Sequence, residues 1–386
     1  MSARARFSAL LLLAALCLPL FCIPGVAAPS SSPSVSAHSA VLLDADGGTV
    51  LYAKDADTRH PMASTTKVMT ALVALEHMEP DTVISVAPEA VGVEGSSIYL
   101  VEGEELTLEQ LLYALLLESA NDAAVAIAVG VAGSVEAFAG LMNQKAAELG
   151  LTDTQFQNPH GLDAEGHYTT ARELALIARA ALQNELLLKM VSTRKTTIPH
   201  DGNDGVRLLV NHNKMLRLYE DAIGVKTGYT KKSGRCLVSA AERDGVRLIV
   251  VTLNAPDDWN DHAELLDYGF SLRESVTLCE PDGICIAVPV VGGAKSSVII
   301  SNPEGLLRSL PKEHPEITRT VELPRFLYAP VETGETVGRV LFQCDLDRDG
   351  KAEVIGEAPL TVQYGAEQAE PPKKSFWQWL RSLFGF

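Results

Sequence analysis

Residues Pro61 to His77 read PMASTTKVMTALVALEH. From Ser64 onward the apolar residues fall at helical spacing, with Val68, Leu72 and Leu75 on one face. Ser64 and Lys67 stand three residues apart on the first turn, so they share a face and the amine can reach the hydroxyl. A neutral serine is a weak nucleophile and needs such a base. The helix start also offers positive dipole and free N–H groups to a developing oxyanion. Lys67 must be neutral to accept a proton, which partial burial and a second nearby cation would favour. Ser192-Thr193-Arg194-Lys195 repeats the pattern, but a polar segment reaching Pro199 follows it instead of an apolar helix.

Upstream, Ser39 to Tyr52 carries two apolar runs joined through Asp46-Gly47-Gly48, which predicts a β-hairpin. Downstream, Thr107 to Val131 is strongly apolar and predicts a buried helix opened by the capping box Thr107-Leu108-Glu109-Gln110. Further helices are expected over Val135 to Leu149 and Thr170 to Leu188. Strands are then expected over Ala222 to Lys226, Arg235 to Arg243 and Val246 to Asn254, with Asp244-Gly245 as a tight turn between the last two. A final helix is expected around His262 to Tyr268. Helices between an early hairpin and a late group of strands imply an α/β domain with an antiparallel sheet, spanning about 38–274. Short Val/Ile/Leu/Thr runs between turn sequences follow, and predict a small all-β domain over 275–366.

The two ends differ from this body. Arg4 and Arg6, an apolar stretch from Ala9 to Phe21 and Val26-Ala27-Ala28 read as a secretory signal over 1–28, followed by a flexible leader over 29–37. After Pro371-Pro372, Phe376, Trp379, Leu380, Leu383 and Phe384 fall at helical spacing beside Lys373, Lys374 and Arg381. That helix, in the segment 367–386, is too short to span a bilayer and suits its interface, or else docking on the protein's own core or on a dimer partner. The protein is thus expected outside the cell, on the outer face of the cytoplasmic membrane. A formal net charge of -17 argues against a nucleic-acid partner.

Two further elements carry chemistry. Ser119-Ala120-Asn121 interrupts the apolar helix with polar side chains that need partners, in a site wall or a helix contact. Lys226-Thr227-Gly228 closes an apolar strand and supplies a cation, a hydroxyl and a glycine that lets a substrate backbone pass closely. Together, and in this order, the three elements resemble the penicillin-binding and serine β-lactamase superfamily. Within it the chain resembles the low-molecular-mass serine D-Ala-D-Ala carboxypeptidases. Phe156 to Leu162, Gly166 to Arg172 and Asn211-His212-Asn213-Lys214 extend the likeness, as do the β domain and the tail.

The resemblance implies a transpeptidase-like catalytic domain and a set of roles. Ser64 would attack the carbonyl between two D-alanines of a peptidoglycan stem, and Lys67 would take its proton. Ser119 would pass a proton to the leaving D-alanine, and Asn121 would hold Lys67 or the substrate amide. Lys226 and Thr227 would bind the terminal carboxylate beside Gly228, and N–H groups of Ser64 and Tyr229 would form the oxyanion hole. β-Lactams would acylate Ser64, and no cofactor is implied. A β-lactamase, an endopeptidase and a non-catalytic wall-binding or β-lactam-sensing protein share this scaffold and stand as alternatives. The oligomeric state is left open.

Other residues point elsewhere. His160, His167, His200, His212 and His262 invite a zinc reading, but the spacing fits no helical ligand pair, so no metal is expected. Asp345 to Gly350 opens like a calcium loop, yet Gly356 stands where glutamate is needed, so a β-turn is expected. Cys279 and Cys285 flank a turn and are either a disulfide or free thiols.

Overall fold

A computed structural model describes residues 32–200 and 205–370. The expected signal over 1–28, residues 29–31 of the leader and the amphipathic stretch from Pro371 onward lie outside these described residues. The rest of the leader is not flexible as expected: Val35 and Ala37 are buried in the core, and Ser36 donates to the Asp261 carboxylate at 2.7 Å.

The expected hairpin is formed by β1 (Ser39–Asp44) and β2 (Val50–Lys54). Two short ribbons follow, β3 (Val83–Ser85) with β4 (Glu105–Thr107) and β5 (Lys195–Pro199) with β6 (Val206–Val210). Strands β7 (Ala222–Thr230), β8 (Gly234–Arg243) and β9 (Val246–Leu253) complete a five-stranded antiparallel sheet ordered β2-β1-β9-β8-β7. Asp244 and Gly245 both take positive φ between β8 and β9, as a primed hairpin turn requires.

Helices cover both faces of this sheet. Val41 and Leu43 enter one apolar cluster, with helices Lys67–His77, Asn121–Ala132 and Ala171–Ala181. Ala40 and Leu42 enter a second, against helix Asp258–Leu272. Two-sided burial explains why the strands read as continuous apolar runs.

Three sequence expectations need correction. The stretch from Thr107 to Val131 is not one helix. Its capping box forms, but helix Leu108–Tyr113 passes into a π turn over Ala114–Glu118 and breaks at Ser119, which takes φ 61°. The second helix starts at Asn121, and the break is where polar side chains replace apolar ones. The stretch from Thr170 to Leu188 likewise divides, because the Asn184 side chain accepts from the N–H groups of Leu186 and Leu187 and caps a new helix, Glu185–Ser192. Finally, Lys226-Thr227-Gly228 does not close its strand, since β7 continues to Thr230.

The strands after the last helix gather around a third, separate apolar cluster. β10 (Arg273–Cys279) pairs with β13 (Leu306–Pro311). A six-stranded sheet, ordered β14-β16-β17-β12-β11-β15, uses β11 (Cys285–Val291), β12 (Ser297–Ser301), β14 (Thr318–Glu322), β15 (Leu327–Tyr328), β16 (Thr336–Cys344) and β17 (Glu353–Val362). Arg273 ties this part to the first sheet. Its guanidinium, almost fully buried, meets the buried Asp44 carboxylate and also donates to the Ser309 carbonyl at 2.7 Å.

Cys279 and Cys285 are free thiols, the first buried and the second exposed. Asp345 accepts from the N–H groups of Asp349 and Gly350, so its carboxylate closes the turn. Ser192 ends a helix and bonds back to the Leu188 carbonyl, while Lys195 lies exposed on β5. The second Ser-x-x-Lys pattern therefore builds no site.

Candidate active site

A 3-10 turn over Ala63–Thr66 leads into helix Lys67–His77 and places Ser64 at the floor of a cleft. The cleft, of about 340 Å³, is also lined by Ser96, Ser119, Thr227, Gly228 and Tyr229. Two packing relationships fix the turn. Gly228 on β7 passes so close that a Cβ there would lie 3.0 Å from the Ser64 nitrogen and 3.1 Å from the Met62 carbonyl oxygen. Its missing side chain thus serves the approach of strand to turn, where sequence reasoning had assigned it to substrate. Behind the turn, Gly161 takes φ +87°, and a Cβ there would overlap the Ala63 carbonyl.

Lys67 is wholly buried. Its Nζ lies 3.1 Å from Ser64 Oγ, 2.7 Å from Asn121 Oδ1 and 2.6 Å from the His160 carbonyl oxygen. The Asn121 amide cannot turn over without loss, because its Nδ2 donates to the Glu94 carbonyl at 2.5 Å. Burial pushes the Lys67 amine well below the usual lysine range, and the charge of Lys226 adds to this, against a smaller opposing effect of Asp122. Lys226, with 1% exposure, is pushed down to about 7 by its own burial.

Asp122, next to Asn121, organises the loop over the cleft. Its carboxylate accepts from Ser97 Oγ at 2.6 Å and from the backbone N–H groups of Ile98 and Leu100. The Asn121 N–H donates to the Ser96 carbonyl at 2.7 Å, so Asn121 joins both the lysine and the loop. Ser119 reaches the cleft because of its left-handed backbone, a conformation that costs about 1 kcal/mol in a non-glycine residue. Tyr229 lines the cleft and is 67% exposed.

Two histidines of the zinc reading, His160 and His167, are hydrogen-bonded within the protein beside the site. His167 Nδ1 accepts from the Gln157 N–H, so Nε2 carries the hydrogen and donates to Thr66 Oγ1 at 2.8 Å; Thr66 in turn donates to the Ala63 carbonyl. His160 Nδ1 accepts from the Leu162 N–H. Burial holds His167 down to about 4 and His160 to about 3, the latter helped by Lys67. The neutral His167 ring supports the Ala63–Thr66 turn through Thr66, and the neutral His160 ring holds its own loop through Leu162.

A hydroxyl, a buried amine 3.1 Å away whose burial favours the neutral form, and a second buried lysine on the facing strand suit acyl transfer to a substrate with a negative end. A family model for D-alanyl-D-alanine carboxypeptidase matches residues 26–257. The chain belongs to that family. This carboxypeptidase is 32% identical over 343 residues to D-alanyl-D-alanine carboxypeptidase DacF of Bacillus subtilis, covering 86% of each chain. It is 33% identical to DacC of Escherichia coli, covering 92% of each. Among solved structures, PBP3 from Streptococcus pneumoniae, described as a peptidoglycan synthesis regulatory factor, aligns with a TM-score of 0.71 at 25% identity, over 87% of this chain and 100% of that one. Penicillin binding protein 5 from Haemophilus influenzae aligns with a TM-score of 0.64 at 28% identity, over 88% and 99%.

Sequence reasoning missed part of the carboxypeptidase's cleft. Arg235, Asp258 and Trp259 also line it, together with His212, which sequence reasoning had named only in the family-like segment and the zinc reading. Arg235 pairs with Tyr229 across β7 and β8, donates to Asp258 at 2.6 Å and stands 5.5 Å from the centre of the Trp259 ring. The hairpin register could have exposed Arg235, since the residue opposite Tyr229 must lie beside the site. Asp258 and Trp259 gave no local signal.

Proposed function

We propose that this enzyme is an exported serine carboxypeptidase that removes the terminal D-alanine of peptidoglycan stem peptides, with Ser64 as nucleophile. The observation that carries the residue assignment is the contact of the buried Lys67 amine with Ser64 Oγ at 3.1 Å. In a neutral amine, two hydrogens serve the oxygens of Asn121 and His160, and the lone pair is left for the Ser64 proton.

The steps then balance. Ser64 Oγ bonds to the carbonyl carbon between the two D-alanines as its proton moves to Lys67. The N–H groups of Ser64 and Tyr229 hold the oxyanion. Ser119 relays a proton to the leaving nitrogen, the C–N bond breaks and D-alanine departs. Lys226 and Thr227 hold the terminal carboxylate, and a water molecule then hydrolyses the Ser64 ester. A β-lactam opens on the same serine, but its leaving amine stays tethered and deacylation is slow. Mass mapping after penicillin treatment tests the assignment: a penicilloyl group on any residue but Ser64 overturns it.

The basic and apolar N-terminus over 1–28 and the aromatic, lysine-bearing C-terminus support export and peripheral attachment to the outer face of the cytoplasmic membrane. The strands from Ser275 to 366 then form a spacer between the catalytic part and the membrane. Truncation at Pro371 tests attachment. Release of the mature protein into the soluble fraction is expected, and continued sedimentation with membranes would refute it.

A further inference from the structure

The outer face of the six-stranded sheet is divided. On one half, Arg339 of β16 pairs with Glu322 of β14 and Glu357 of β17, the polar cover usual for an exposed sheet face. The other half has no such cover. β11 and β12, reading CIAVPVV and SVIIS, carry no charged residue. Their residues Val288, Val290, Val298 and Ile300 enter the third apolar cluster. Alternation then turns Ala287, Pro289, Val291 and Ile299 outward, and all four are exposed. The edge strand β15 extends this face. Leu327 registers with Val290 and packs inward, while Tyr328 registers with Val291 and is exposed. Phe326, just before β15, meets the Tyr328 ring edge-on with centres 5.3 Å apart, and the two residues are 45% and 70% exposed.

Single exposed apolar residues are ordinary, but a contiguous uncharged face with two aromatic rings at its edge marks a contact surface. The course of the chain points to the occupant. The Ala369 N–H donates to the carbonyl of Gly292, the residue after Val291, at 2.8 Å, and the Ala294 N–H donates to the Glu367 carbonyl at 2.8 Å. The stretch from residue 371 onward, with Phe376, Trp379, Leu380, Leu383 and Phe384 beside Lys373 and Lys374, therefore departs from the edge of this same face. A bilayer held by that stretch lies within reach of β11 and β15, and aromatic rings favour the headgroup level of a bilayer.

We propose that the outer face of β11, β12 and β15 is a second lipid-contact surface, with Phe326 and Tyr328 seated among the headgroups. The inference rests on the membrane attachment read above for the C-terminus and adds a contact made by the folded β domain itself. A single weak anchor binds a bilayer reversibly. A second contact on the same body strengthens binding, because the first holds it at high effective concentration.

The test is cosedimentation of the full mature protein with phosphatidylcholine vesicles, whose zwitterionic headgroups leave apolar contact as the main attraction. Wild type is expected to bind. Val291→Glu and Phe326→Ser are each expected to weaken binding about tenfold, as loss of one partly buried apolar contact does. Tyr328→Trp, which keeps an interfacial ring, should bind like wild type. Urea midpoints equal to wild type report an intact fold, and Phe326 lies outside the strands, so its variant serves even where Val291→Glu unfolds. Wild type that fails to bind overturns the attachment and the inference together. Undiminished binding by both variants leaves attachment to the C-terminus alone and overturns only the inference. Tighter binding by the variants would show that residues 371–386 cover the face in solution, and a smaller particle mass of the variants without vesicles would show a second copy there. Either of these also overturns it.

Discussion

Lys67 and Lys226 bury their amines in one cleft, and the charge on Lys226 helps to hold Lys67 well below the usual lysine range. Two buried lysines at one site are costly unless at least one is neutral. The arrangement divides the labour. Burial and the charge of Lys226 both favour the neutral form of Lys67. Lys226, at about 7, keeps its charge in acid and loses it on the alkaline side.

The pH profile should follow this division. Acylation needs neutral Lys67, so its rate rises as pH climbs through the depressed Lys67 pKa. Binding of a terminal carboxylate needs charged Lys226, so kcat/KM for peptides should fall above about pH 7. Lys226→Gln removes the neighbouring charge, lets the Lys67 pKa rise and moves the acid limb of penicillin acylation to higher pH. An acid limb that stays in place in Lys226→Gln would contradict the coupling.

Gly228→Ala should separate activity from stability. The added methyl meets backbone atoms of Ser64 and Met62, which can yield only by moving the nucleophile turn. A displacement of a few tenths of an ångström to 1 Å should lower acylation by up to about 100-fold. Urea unfolding should shift far less, because the turn lies at the end of the core helix. Wild-type acylation in this variant would show that the contact is slack.

Stability should fall in acid, in part through His262. Its ring is fully buried between Ser239 and Thr252, and burial lowers its pKa from 6.5 to about 3. The folded state therefore favours the neutral ring. This stabilisation is complete above pH 6.5 and is lost as pH falls towards 3, at about 1.4 kcal/mol per pH unit. His160 and His167 act in the same direction. Urea midpoints between pH 7 and 4.5 should show a shallower acid slope in His262→Gln than in wild type. Equal slopes would mean that the ring titrates alike in both states.

Much of the site was legible in the sequence because its parts are local. Ser64 and Lys67 share one turn, Ser119 and Asn121 flank one break, and Lys226 to Tyr229 occupy one strand. Helix periodicity could not locate the break at Ser119, since every residue from Ala114 to Leu117, within the π turn itself, is apolar and buried. Nor could it end the helix at Leu182, where the decision rests with the Asn184 cap. The support given by the His160 carbonyl, the Asp122 loop and Arg235 depends on contacts between residues tens of positions apart. Those follow only from the assembled sheet and helices.

The most direct test of the central claim is release of free D-alanine from a peptide ending in Lys-D-Ala-D-Ala, by the mature protein and by its Ser64→Ala variant. The account predicts release by the first and none by the second, with both folded. Release that persists in Ser64→Ala, or no release by a folded wild-type protein, would contradict it.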